Sequence, residues 1–337
     1  MTIDRGEIER AVQQLKSGKL VIFPTETVYG LGADASNPDA LRLLYATKGR
    51  PADHPVIAHF ADVETLALWS SRFDERARKL AEMFWPGPMT LVLPKARHVS
   101  PLVTGGQDSV GLRIPNHPVA LDLLRFFGGG VAGPSANRFG KLSPTSHRAA
   151  SASLEINSEV MLLDGGDCDV GIESTIISLL HPEKVSILRP GMIAASAIQA
   201  CLSMDLDLEN KTANVRAPGL LKSHYAPEAG VLTLDKNDLL QQLQVLLAKG
   251  QKAGLIVFRS WQNDVRLISG NKVIEAIFLP QDPIIWGHEL YAALRTLDEA
   301  RCDLILVSEL PDNDLWAGPA DRLRRACFDT EQKRLQV

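Results

Sequence analysis

The sequence predicts an α/β protein built of two successive blocks joined by a long polar connection. Three observations carry that expectation. Short apolar runs of strand length recur between segments with helical spacing. A stretch rich in turn formers interrupts the pattern after Gly191. The 337 residues of the chain suffice for about two domains of ~150 residues.

Each element has its own local reason. Ile8, Val12 and Leu15 share one face of a first helix, and LVIFP (20–24) follows as a short buried strand. Asn37 and Pro38 are N-cap and first-turn residues of a second helix that carries Leu41, Leu44 and Tyr45 inward. PVIAHF (55–60), MTLVLP (89–94), VGLRIP (110–115), VAGPS (131–135), STIISL (174–179) and VSILRP (185–190) are further strands, with a helix over Pro118–Phe127. This mixture favours an open, twisted sheet. From about Asp205 to Gly230 the chain is polar and punctuated by Pro218, Gly219 and Pro227. A second, smaller α/β block follows, with strands at 254–258 and 303–307 and a long helix over 283–301. The expected boundaries are a first domain over 1–205, a linker over 206–230 and a C-terminal domain over 231–337. Connections of that length are mobile tethers or functional lids.

Composition narrows the function classes. Hydrophobic residues at 45% and charged residues at 23% are globular values that exclude disorder and coiled coil. A formal net charge of -4 argues against a uniformly basic coat for nucleic acid or membrane, while leaving room for a local basic cleft. Cys168, Cys201, Cys302 and Cys327 are scattered without a CxxC pair, as expected of reduced thiols. The N-terminus has early acids and no apolar core, so no signal peptide is expected, and no apolar run approaches the ~20 residues of a membrane span. A cytoplasmic protein without membrane partners is the expectation.

Familiar motifs are absent. Neither Gly18-Lys19 nor Gly140-Lys141 has the upstream glycine of a Walker A loop. Gly128, Gly130 and Gly133 match GxGxxG formally, but the run precedes a strand instead of joining a strand to a helix. His288-Glu289 lacks the second histidine of a zincin, the histidines show no metal-ligand spacing, and no GxSxG elbow occurs. No metal-ligating residue is expected.

Five segments instead gather polar residues and glycines at strand ends, where open α/β sheets bind ligands. The first is FPTETVYGLG (23–32), whose Thr25 and Thr27 could serve a turn or a ligand. The second is Lys48-Gly49-Arg50-Pro51, either a helix C-terminus favoured by its dipole or an anion clamp with lysine as point charge and arginine as fork. The third is Ser109 with Arg113 on an otherwise apolar strand. A buried arginine needs an anion, and an internal carboxylate and a ligand carboxylate answer that need equally well. The fourth is GPSANRFGKLSPTS (133–146), with Ser135, Asn137, Arg138, Lys141 and Ser143 in the manner of a phosphate-receiving loop. The fifth is Glu173-Ser174-Thr175, with Arg189-Pro190-Gly191 ending the next strand.

Taken together, FPTETVYGLG, KGRPADHPVIAH, FWPGPMTLVLP, SVGLRIPNHP, GPSANRFGKLSPTS, GIESTIISL, ILRPG and KSHYAP resemble the YrdC-like family of L-threonylcarbamoyl-AMP synthases in its long, two-domain form. They run almost continuously over 20–191 in the family order, and KSHYAP extends the match to 227. The resemblance implies a twisted α/β sheet around a large concave, basic cavity. It implies conversion of L-threonine, bicarbonate and ATP into threonylcarbamoyl-AMP and pyrophosphate. A separate tRNA threonylcarbamoyltransferase would then pass the group to adenosine next to the anticodon.

Carried over by motif, Lys48 and Arg50 are implied catalytic residues. ATP would be bound by Arg50, His54, Ser109, Ser135, Asn137, Ser143 and Arg189, with Tyr225 of the linker closing over it as a lid. Threonine would be bound by Thr27, His59, Arg113, Gly133 and Ser174, with Arg113 on its carboxylate. Mg²⁺ is implied as the companion of ATP. His54 stands where the family commonly has asparagine, and Gly133 where alanine is usual, which should enlarge the pocket slightly. Two other readings compete. A hydrogenase-maturation carbamoyltransferase would need zinc-finger CxxC pairs and further domains. A non-catalytic RNA-binding, translation-associated module would want interleaved aromatics and a basic stripe, and aromatics are only 6% here. Weak contact with tRNA or double-stranded RNA stays open as a secondary property.

Overall fold

The computed structural model of the chain describes residues 4–207, 215–219, 225–270 and 274–335. These fall into two compact units, one from Met1–Phe139 and Ser143–Leu220, the other from Gly140–Leu142 and Leu221–Val337. Of the linker, 215–219 thus group with the first unit and Tyr225 with the second. Lys222, Ser223 and His224 of KSHYAP lie outside the described residues.

In the first unit β1 (Leu20–Phe23), β2 (Gly30–Asp34), β3 (Ile57–His59), β4 (Met89–Pro94), β5 (Ser109–Arg113), β6 (Val131–Ala132), β7 (Val160–Leu162), β8 (Thr175–Ser178) and β9 (Ser186–Arg189) form a nine-stranded mixed sheet. Its order is β7-β1-β2-β6-β3-β5-β4-β8-β9. The helices are α1 (Arg5–Lys16), α2 (Pro38–Lys48), α3 (Val63–Ala67), α4 (Glu75–Phe84), α5 (Pro101–Thr104), α6 (Pro118–Phe127), α7 (His147–Ser153) and α8 (Ala195–Leu202). Local chemistry sets α2: Asn37 Oδ1 accepts from the backbone N–H groups of Asp39 and Ala40, and Gly49 ends the helix at φ 62°.

In this sheet two strands escape the apolar-run criterion. β2 is GLGAD, whose glycines read as a turn. A Cβ at Gly32 would meet Val131 Cγ1 at 3.0 Å and Phe23 Cε1 at 3.1 Å, so the missing side chain is what lets Phe23 lie across the strand. β7 is a three-residue edge strand with only Val160 fully buried.

Side-chain alternation gives the sheet two different faces. One carries Leu20, Ile22, Leu31, Ala33, Ala58, Leu91, Leu112, Ala132 and Ile177 into the main core, beneath α2, α4 and α8. The other carries Ile57, Thr90, Val92, Ser109, Gly111 and Ile176 along a small cleft. His59 and Arg113, at the ends of β3 and β5, pair with each other in register two residues beyond Ile57 and Gly111. Helices α1 and α6 cover only the Val21, Phe23 and Val131 part of this second face. The central strands are therefore left for polar residues.

The second unit is a four-stranded parallel sheet, β10 (Gly230–Leu234), β11 (Ala253–Phe258), β12 (Glu275–Leu279) and β13 (Leu304–Ser308), in the order β10-β13-β11-β12. Parallel neighbours require crossovers, supplied by α9 (Lys236–Ala248), α10 (Gln262–Ser269) and α11 (Pro283–Glu299), while α12 (Ala317–Leu335) follows the last strand and packs against β10.

Candidate active site

The polar face of the nine-stranded sheet gathers the predicted residues of the first unit into two adjoining groups. The first surrounds Arg113, 4% exposed at the end of β5. Its Nε donates to Gly87 O at 3.3 Å. Its Nη2 lies 2.8 Å from Glu26 Oε1, within ion-pair range but off the hydrogen-bonding direction, so neither atom has a hydrogen-bond partner. The internal carboxylate is thus present. Glu26 is one of the polar residues of FPTETVYGLG, and its sequence position gives no hint that it meets Arg113. Thr27 is fully buried beside it, its hydroxyl 2.8 Å from that of Thr25.

His59 pairs with Arg113 in the β3/β5 register and is buried. Burial, reinforced by Arg113, pulls its pKa down to about 3, and its Nδ1 has no hydrogen-bond partner. Gly133 explains how the ring fits: a Cβ there would stand 2.9 Å from His59 Nδ1. The room left by the glycine is therefore taken by the imidazole instead of widening the pocket. The low pKa fixes a pH dependence. An unfolded histidine binds a proton near pH 6.5 and the folded His59 does not, so its contribution to stability is intact above that pH and is lost as pH falls toward 3. Between pH 7 and 5 the wild type should lose about 2 kcal/mol of unfolding free energy that the His59→Phe variant retains. Urea denaturation of both proteins at the two pH values checks this, and equal losses would contradict it.

Ser174 links this group to the next. Its hydroxyl lies 2.8 Å from that of Thr90, and Arg189 reaches it from β9, Nη2 donating to Ser174 O at 3.0 Å and to its Oγ at 3.2 Å. Arg189 Nη1 donates to Pro218 O at 2.8 Å. Residues 216–218 in turn close the cleft over Ser109. They are fastened by Arg216, whose backbone N–H donates to Gln107 Oε1 at 2.7 Å and whose Nη2 donates to Gly105 O at 2.7 Å. Thr90, Gln107 and Arg216 carry no motif that sequence alone could read.

The second group is the loop after β6. Lys48, at the end of α2 and 2% exposed, donates from Nζ to the carbonyls of Ser135 and Asn137, while its own carbonyl accepts from Phe139 N at 3.0 Å. Two of its three donors thus hold the loop. Burial, then Arg50, keeps its pKa well below the lysine range. Arg50 donates to Pro55 O at 2.8 Å and stacks over Phe139, 5.4 Å from the ring centroid. His54 packs edge-on against the same ring, and burial with Arg50 lowers its pKa. Asn137 is buried, with Nδ2 donating to Arg138 O at 2.8 Å. Ser143 donates to Glu173 Oε1 at 2.6 Å. Glu173 lies next to Ser174 in sequence, so the two groups share a wall.

Tyr225 belongs to the second unit, where it is buried with φ 61°, its ring 5.7 Å from that of Tyr291 and beneath Arg322. Among the described residues no group of three or more His, Cys, Asp or Glu side chains gathers to hold a metal. All four cysteines are free. An open groove between α1 and β7 holds none of the site residues.

A sheet face with buried cations, hydroxyls and a glycine-bordered loop defines a small-molecule site of the anion-handling α/β class. The family model described as "Telomere recombination", Sua5/YciO/YrdC, matches residues 13–191, and that described as "Threonylcarbamoyl-AMP synthase, C-terminal domain" matches 193–327. The chain belongs to this family, in its two-domain form. It is similar to the threonylcarbamoyl-AMP synthase of Pyrococcus abyssi, 36% identical over 96% of this chain and 95% of that protein. The synthase of Bacillus subtilis is 36% identical over 95% and 92% of the two chains. The crystal structure of P. abyssi Sua5 complexed with L-threonine superposes with a TM-score of 0.87 at 34% identity, covering 97% of this chain and 96% of that one.

Proposed function

We propose that the chain condenses L-threonine, bicarbonate and ATP into threonylcarbamoyl-AMP and pyrophosphate. The observation that carries this reading is the near full-length match to threonylcarbamoyl-AMP synthases, through both domains. The site chemistry agrees with it. The carbamate on the threonine nitrogen attacks the α-phosphate itself, so the protein needs no serine or cysteine nucleophile. Its task is to position two anions and to offset the charge that builds on the phosphates.

Arg113 takes the threonine carboxylate, between Thr27, His59 and Ser174, with Gly133 bordering the pocket through its backbone. Lys48 and Arg50 act on the phosphates, and Ser109, Ser135, Asn137, Ser143, Arg189 and His54 line the nucleotide. Tyr225 closes over it from the linker. Mg²⁺ accompanies ATP and offsets phosphate charge. Among the described residues the acidic side chains are dispersed, which suits an ion carried by phosphate and water better than one caged by protein. The product goes to a separate transferase that modifies adenosine next to the anticodon of tRNA, in the cytoplasm. No helix among the described residues is long and apolar enough to cross a membrane.

The test is mass spectrometry of the reaction mixture at early times. A labile adduct with the mass of threonylcarbamoyl-AMP is expected whenever all three substrates and Mg²⁺ are present. AMP or ADP without that adduct would contradict the assignment.

A further inference from the structure

We propose that Glu26 is the recognition group for the α-ammonium of the amino-acid substrate, so that the pocket selects zwitterions. The inference rests on the threonine reading above and adds a contact to it. Glu26 is 3% exposed, and both carboxylate oxygens are buried without a hydrogen-bond partner. The same is true of Arg113 Nη2, of His59 Nδ1, and of His117 Nδ1, whose ring is electrostatically coupled to Glu26. Buried polar atoms without partners are rare and cost about 1–3 kcal/mol each. A cluster of them in one domain marks a place that a polar ligand completes.

Charge counting identifies that ligand. Arg113 and Glu26 together carry no net charge. A substrate with only a carboxylate would leave a net negative charge in a site that excludes water, and would face Glu26 across the arginine. A zwitterion adds a carboxylate for Arg113 and an ammonium for Glu26, so the charges alternate and the sum stays zero. The off-direction approach of Nη2 to Oε1 fits the same picture, because neither group's hydrogen-bonding directions are spent on the other.

The contact also changes sign during the reaction. The ammonium releases one proton to solvent, and the resulting amine attacks bicarbonate, forming the N–C bond of the carbamate and releasing water. The nitrogen end then carries a negative carboxylate, which Glu26 repels. The group that holds the amino acid before carbamoylation thus drives its new end away from itself afterwards.

Calorimetric titration with L-threonine and with (R)-3-hydroxybutanoate, the same molecule without the amine, tests the proposal. The wild-type protein should bind threonine at least roughly 30-fold more tightly than the deaminated acid, as expected for a lost buried charge contact. Comparable affinities would overturn the proposal whether or not any variant folds. Glu26→Gln should lose about the same factor for threonine while keeping or improving its affinity for 3-hydroxybutanoate. If Gln at this position does not fold, Glu26→Asp, which keeps the charge, should retain the preference for threonine. Equal weakening toward both ligands would overturn the proposal in favour of a merely structural partner for Arg113. Wild-type protein that binds ATP but not threonine would overturn the underlying reading together with the proposal, and is thereby told apart.

Discussion

The Arg113→Ala variant is expected to lose threonine-dependent pyrophosphate release by at least ~100-fold, since the substrate carboxylate loses its charged, buried partner. The same change strands the Glu26 carboxylate in the interior. Both side chains are about 5% exposed, so little solvent screening softens the penalty. Breaking such a pair by removing one member costs about 3–5 kcal/mol, whereas replacing both with apolar groups of similar volume is close to neutral. The double variant Arg113→Met/Glu26→Leu should therefore recover most of the stability lost in Arg113→Ala, yet remain inactive. Urea denaturation and turnover, measured on the same preparations, separate the two effects. Normal turnover in Arg113→Ala would reject the threonine site as drawn. Failure of the double variant to regain stability would reject the ion-pair account.

Lys48→Met is expected to lower turnover by roughly 100-fold while leaving threonine affinity within about 3-fold, by analogy with removal of one buried oxyanion donor. The reason lies in geometry. Lys48 holds the carbonyls of Ser135 and Asn137, and its backbone holds Phe139, so the nucleotide-side loop loses its anchor along with a cation. The threonine group, built on β3, β5 and Glu26, has no hydrogen bond to that lysine. Turnover within a few-fold of wild type would show that neither the charge nor the anchor matters. A parallel collapse of threonine binding would show that the two groups are not separate.

Much of this arrangement is legible in the sequence, for identifiable reasons. Strands such as β1 and β4 announce themselves because they are buried on both faces and read as apolar runs, unbroken in β1 and interrupted only by Thr90 in β4. The start and stop of α2 are visible because Asn37 and Gly49 do local work on backbone groups next to them. β2 hides because its glycines serve a neighbour, Phe23, that only the fold brings across. The Arg113 question has the same origin. A buried arginine demands an anion, but no local pattern says which one, and Glu26 comes from the turn after β1, four places from β5 in the sheet order. Lys48 is more ambiguous still. Its place at a helix end suits a dipole contact or an anion clamp, and the hold on the loop carbonyls appears only once the fold brings the loop after β6 to the end of α2. Thr90, Gln107 and Arg216 belong to the same class: ordinary residues given a role by contacts between segments far apart in the chain, β4 with the start of β8 and the stretch 215–219 with the turn before β5.

The central claim is that threonine and bicarbonate together trigger adenylyl transfer from ATP. Pyrophosphate release from ATP and Mg²⁺, with L-threonine and bicarbonate added singly and together, tests it most directly. Release that requires both is the expected result. Release without threonine would point to another acceptor or to plain ATP hydrolysis, and no release from a folded, ATP-binding protein would contradict the account outright.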